Sequence, residues 1–135
     1  MTVAYATRTH FDQFGLPTAT LDALASSTAQ DAQLSSASGL MDSYFRGRWP
    51  DGLPFSSWGD ELRECCCVLA AYVIVARRGF NPDNAWEQAL QARRAEWLAW
   101  LELVRDKKAH PDVTPMPSST PSYSPSTRSS TLRGW

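Results

Sequence analysis

Apolar positions recur at helical spacing in three long stretches of this chain, and each stretch has legible ends. In the central one, Trp58 to Arg78, the residues Trp58, Leu62, Cys65, Cys66, Leu69, Val73 and Ala76 share one face. Ser57 with Asp60 predicts its start, as an N-cap followed by an acidic first turn. Arg77, Arg78 and Gly79 predict its stop, as a basic last turn followed by a C′ glycine. The opposite face opens with Asp60 and Glu64 but continues as Cys67, Ala71 and Ile74. No residue from Cys65 to Ala76 is charged, and a helix that turns apolar all round is covered from more than one side. That cover must come from other segments or from another copy of the chain.

The stretch before it opens at Ser27, with Gln30 at the capping-box position, and runs to about Arg46. Ala37, Leu40, Met41, Tyr44 and Phe45 form its stripe, and Gly47 follows as a stop. The stretch after it starts at Asn81 as N-cap with Pro82 at the first helical position, and continues to Lys107 or Lys108. Trp86, Leu90, Arg93, Trp97, Trp100 and Val104 recur along it at gaps of four and three, an antiparallel packing seam. Two short helices precede all of these. Thr7 to Phe14 ends at Gly15, and a second carries Leu21 and Leu24 with Thr18 or Thr20 as cap. Short helices hold only when docked on something larger. Between the long stretches, Arg48 to Phe55 contains Pro50, Asp51-Gly52 and Pro54, which forbid helix, yet Trp49, Leu53 and Phe55 call for burial. An ordered loop folded back over the helices satisfies both demands.

Composition changes at Ala109. Of the residues from there to Trp135, seven are Ser, four Thr and five Pro, which favours an extended segment over a packed one. The expected architecture is therefore all-α. It is a small bundle of about five helices, two short and three longer, over residues 1–108, with an extended C-terminal tail over 109–135. The tail carries Arg128 and Arg133 and three apolar anchors, Tyr123, Leu132 and Trp135. Sparse anchors on such a segment read as a docking device for a neighbouring protein.

Charge and chemistry then narrow the function. A net charge of −1 and a pI near 6.1 offer no field to attract nucleic acid or an acidic membrane. The first eight residues have no apolar core of a signal peptide, and the uncharged run in the central helix is too short to span a bilayer. A soluble protein made inside the cell is expected. The cysteines are contiguous, Cys65-Cys66-Cys67, so on a helix they diverge by about 100° and cannot converge on one metal. They read as small buried hydrophobes. His10 and His110 stand alone, and Asp60 and Glu64, which could share a cation, also sit where helices ordinarily place acids. Phosphate-binding glycine loops, nucleophile elbows and zinc-protease motifs are absent from the sequence. No cofactor, no metal and no enzymatic activity are expected.

Two alternatives remain at this level. One is a cytoplasmic helix-turn-helix DNA-binding regulator formed by the short helices and the third, with Gln30 and Gln33 as weak support. The other is a thiol protein using the cysteine cluster.

The chain also resembles a known family, the head–tail adaptor or head-completion proteins of tailed bacteriophages. The resemblance is carried by Tyr5-Ala6-Thr7 leading to Phe11 and Phe14-Gly15, and by Met41-Asp42-Ser43-Tyr44-Phe45-Arg46-Gly47-Arg48-Trp49-Pro50. Leu53-Pro54, Ala70-Ala71-Tyr72, Arg77-Arg78-Gly79 and a last helix rich in Trp and Leu continue it over residues 3–106. The long Ser/Thr/Pro end departs from the family pattern. The resemblance implies a virion protein at the head–tail junction. Its copies would form a ring, usually dodecameric, between the portal protein and the next neck or tail protein. DNA would pass through the lumen without sequence-specific binding. It further implies that C-terminal segments such as Tyr123, Arg128, Leu132, Arg133 and Trp135 dock on the portal or another neighbour. Cys67, Ala71 and Ile74 would then meet an adjacent subunit. Arg46 and Arg48 match the family's arginine position and would form structural or inter-subunit ion pairs.

Overall fold

The computed structural model describes residues 4–79, 81 and 83–115. Five helices follow one another: α1 (Thr9–Gln13), α2 (Thr18–Leu24), α3 (Ser27–Phe45), α4 (Asp60–Arg78) and α5 (Ala85–Arg105). Two strands of two residues each, β1 (Ser57–Trp58) and β2 (Val113–Thr114), pair antiparallel, with Ser57 opposite Thr114 and Trp58 opposite Val113. The fold is all-α, with two short and three longer helices and this one small ribbon.

α4 is the centre. It packs against α1, α2, α3 and α5, while α3 and α5 also touch each other. Leu62, the run Cys65 to Ala71, Ile74 and Val75 are all buried, so cover arrives from nearly every direction. The far face expected to meet a second copy is covered within one chain: Cys67 and Ala71 are 0% exposed and Ile74 3%. These three residues are intramolecular core, because α1 and α2 dock on α4 in addition to the two long helices. Of the large apolar residues of α4, it is Val73 that reaches solvent, at 37%.

The loop after α3 folds back as its sequence demands. Phe45, Trp49 and Phe55 meet with ring centroids 5.1 to 6.0 Å apart, and Tyr5 joins them edge-on to Trp58 at 4.9 Å. The Leu53–Pro54 peptide is cis. α1 stops where Gly15 takes a φ of +74°, a left-handed conformation that glycine adopts without steric cost.

Three helix starts differ from expectation. α3 is capped by Ser26, whose hydroxyl accepts from the Ala29 N–H at 3.2 Å. Gln30 instead turns its amide to Asp22 Oδ1 and the Ala25 carbonyl, tying α2 to α3. α4 begins at Asp60, not Trp58. Ser57 and Trp58 are held extended by β2, and the Trp58 indole N–H donates to the Tyr5 carbonyl at 2.9 Å. α5 is capped by Asn84, which accepts from the N–H groups of Trp86 and Glu87, while Asn81 accepts from the Asp83 N–H in a turn before it.

The segment from Ala109 is also not wholly detached. Residues 109–115 return across the body as a strap that ends in β2.

Candidate functional site

The groups that could carry chemistry are each engaged within the fold. Burial lifts the Cys66 thiol up to about 11, against opposing hydrogen bonds from Ser38 and the backbone of Tyr5 and Ala6. Cys65 and Cys67 are pushed higher still, again chiefly by burial. Nucleophilic thiols need an accessible, low-pKa environment, and these have the reverse. His10 Nδ1 accepts from the Thr7 N–H at 2.9 Å and its ring stacks near Phe14, so it is engaged with the segments on either side of α1. Asp60 pairs with Arg63 at 2.9 Å and Glu64 with Arg93 at 3.4 Å, so these carboxylates serve separate arginines rather than one cation. Among the described residues no group of three His, Cys, Asp or Glu could hold a metal ion. In that same range no helix is long and apolar enough to cross a membrane.

The helix-turn-helix alternative fails on burial. Gln30 and Gln33, its would-be base readers, both face inward from α3. Gln30 is spent on Asp22 and Ala25, and Gln33 lies against Arg77. A recognition helix must present such residues to the groove.

A buried polar cluster, which periodicity alone does not single out, ties the N-terminal segment to α3. The Tyr5 hydroxyl donates to Asp42 Oδ1, and the Tyr5 N–H donates to Ser38 Oγ at 2.9 Å. Ser38 Oγ in turn donates to the Leu34 carbonyl and lies 3.3 Å from Cys66 Sγ. Burial raises the Asp42 carboxyl above its ordinary value, while the Tyr5 bond and the exposed Arg46 pull it back. Glu87, almost wholly covered, behaves oppositely. The Asn81 N–H donates to it at 2.9 Å and Arg78 Nη2 pairs with it at 2.5 Å, and together they hold it below the usual glutamate range.

The two shifts act on stability with opposite signs. Where the native pKa is raised, the folded state holds a proton that the unfolded chain has released. The Asp42 contribution therefore declines as pH rises from the ordinary carboxylate value towards the native one. The Glu87 contribution is complete above the ordinary glutamate value and is lost as pH falls through the depressed one. Denaturant titrations between pH 3 and 8 should show Asp42→Asn removing the first component and Glu87→Gln the second. Profiles of both variants parallel to the wild type would rule out this assignment.

The strap is the feature that organises the C-terminal end. Arg48, just beyond α3, donates through Nη1 to the carbonyls of Val104 at 3.0 Å and Ala109 at 2.7 Å. Its Nη2 lies 3.0 Å from His110 Nδ1, and its guanidinium stacks 4.6 Å over Trp49. Arg48 is thus turned onto its own chain, and its partners there are carbonyls and a ring. A guanidinium fork suits two carbonyls and a ring as an ammonium does not. Further along, the Glu61 carboxylate accepts from the Asp112 N–H at 3.1 Å, and Gly59 and Ser56 donate to the carbonyls of Asp112 and Thr114, each at 2.8 Å. The strap sits so close that a Cβ at Gly59 would lie 2.9 Å from Asp112 Oδ2. Arg46, unlike Arg48, is exposed at the end of α3. The expected docking residues Tyr123, Arg128, Leu132, Arg133 and Trp135 lie outside the described residues.

Together these elements define a small all-α protein with its cysteines buried and its C-terminal segment strapped to the body as far as Pro115. The chain belongs to the family described as Bacteriophage Mu, Gp36, which matches residues 5–127. It is 30% identical to Gene product J of Escherichia phage Mu over 115 residues, 85% of this chain and 74% of that protein. This is a bacteriophage protein family.

Proposed function

We propose that the chain is a structural virion protein of the phage neck. Copies form a ring adaptor between portal and tail that extends the DNA channel, and residues beyond the strap dock on a neighbouring virion protein. Its role is mechanical and needs neither cofactor nor catalysis. Membership of a phage family supports the setting, and the strap is the observation that supports the mechanism. By clamping residues 109–115 onto α4 and the loop after α3, it gives the following segment a defined point of departure. Tyr123, Leu132 and Trp135 supply apolar anchors there, with Arg128 and Arg133 between them. A chain that orders such a segment on a partner surface can cover much area with few residues.

Truncation separates strap from tail. Removing residues 116–135 should leave a body as stable as the full chain but unable to attach to capsids. Removing residues 109–135 should in addition lower the melting temperature, since it strips Arg48, Glu61 and β1 of their partners. Thermal unfolding and a capsid co-sedimentation assay read the two effects, and normal attachment of the shorter truncation would sink the docking role. Gold labelling of the protein in isolated particles tests the neck position itself, and label elsewhere in the particle would sink that.

A further inference from the structure

The outward edge of α5 carries Glu96, Trp100 and Leu103 at i, i+4 and i+7, a single stripe. Leu103 is 44% exposed and Trp100 partly so. Trp97 stands edge-on to Trp100, centroids 5.2 Å apart at 84°. Among the described residues no ion pair engages Glu96. The stripe runs as a mostly apolar ridge along the edge of a hollow of about 270 Å³, which Glu96 and Trp100 share with Glu64, Arg93 and Trp97.

A groove of complementary character opens where the turn between α2 and α3 meets the end of α4. Its volume is about 510 Å³, and its lining combines apolar residues of the α2–α3 turn (Leu24, Ala25, Ala29) with the polar Ser26 and Gln33 and the basic Arg77 and Arg78, over the buried Ile74. Arg78 on the rim is occupied by Glu87. Arg77 is not: with the Gln33 amide turned so that its oxygen faces the guanidinium, that oxygen accepts from Nη1 and Nη2 at 3.1 and 2.9 Å, and no carboxylate among the described residues pairs with Arg77. Ridge and groove cannot meet within one molecule. Arg78 already touches Glu87, and Glu96 lies nine residues further along the same helix, roughly 13 Å away at 1.5 Å per residue.

We propose that the groove takes the Glu96–Leu103 ridge of a second copy of this chain. Trp100 and Leu103 lie over the floor, and the Glu96 carboxylate meets the Arg77 guanidinium. The pairing of an unneutralised acid with an unneutralised arginine sets the register, and the apolar ridge supplies the buried surface. Because the two surfaces differ, the contact is heterologous. Each added copy leaves one groove and one ridge free, so assembly proceeds until the rotation closes on itself. This inference rests on the proposed reading that the protein assembles with itself, and it names the surfaces that do so.

Charge exchange on the full chain tests it. Sedimentation velocity over a concentration series should show self-association of the wild type. Arg77→Glu and Glu96→Arg should each weaken it by at least about tenfold, and the doubly reversed protein should return to within about threefold of wild type. Leu103→Asp should weaken it without rescue by either. All of these side chains are exposed, and circular dichroism should show every variant folded. Three results would each overturn the proposal: a wild type that stays monomeric throughout, single reversals that associate normally, or a double variant as weak as the singles. A variant that unfolds shifts the test to Leu103→Asp, whose normal association overturns it equally. The neck position is read from gold label in particles, so the two conclusions fail on different measurements.

Discussion

Ala71→Glu should unfold the body outright. Ala71 is 0% exposed on a helix that other elements cover from nearly all sides, so a glutamate there has neither room nor solvent. Overpacking a filled site costs about 1–3 kcal/mol, and an unpaired buried charge several more. The sum rivals the whole stability of a small domain, roughly 5–15 kcal/mol. The control lies two residues on. Val73→Glu, at a position 37% exposed on the same helix, should shift stability by no more than about 0.5 kcal/mol. Circular dichroism and urea denaturation distinguish the two. A folded Ala71→Glu protein defective in assembly alone would return this face of α4 to the subunit interface and contradict the packing described above.

Arg48→Ala comes next in size. The substitution deletes the donors to Val104 and Ala109, the contact with His110 and the stacking on Trp49. Hydrogen bonds from a charged donor contribute about 1.5–3 kcal/mol each, less where water can replace the protein partner, as it can on this half-exposed edge. A loss of about 2–3 kcal/mol is expected, concentrated in the strap rather than spread over the fold. Hydrogen exchange should report it as lost protection at Asp112 and Gly59, with the amides of α4 unchanged. Arg48→Lys should behave almost like the alanine variant, because an ammonium cannot span the same three acceptors. Unaltered exchange at both amides would mean that β1–β2 pairing alone holds the strap.

The helices are legible in the sequence because burial writes itself there as periodicity. The stripe of α3, the seam of α5 and the all-round apolar character of α4 can each be read from the residues alone. What covers α4 cannot. Cys67, Ala71 and Ile74 announce that they are buried, but nothing in them says whether α1 and α2 or another molecule does the covering. Caps are ambiguous where two candidates stand close together. Ser26 lies beside Ser27, and Asn84 shortly after Asn81, and tertiary contacts of Gln30 and Trp58 help to set where the helices begin. The strap is hidden for a different reason. Its bonds at Asp112 and Thr114 are largely made by the backbone, which any composition can supply, so a Ser/Thr/Pro-rich segment reads as detached from its first residue. Tyr5 and Asp42 are visible as residues of the resembling segments, but their mutual contact joins positions 37 apart and leaves no local signal.

The order in which the strap is fastened has a mechanical consequence. A pull on the chain beyond Pro115 loads β2 from its free end, where the bonds at Thr114 come first. Those at Asp112 follow, to Gly59 and Glu61, and the Arg48 fork at Ala109 comes last. The bonds are therefore met one after another rather than all together, and the attachment peels instead of snapping. The strongest fastening sits nearest to α5, where it shields that helix from unravelling. Tension applied to the chain at that point is thus taken up along the strap before it reaches the core around α4.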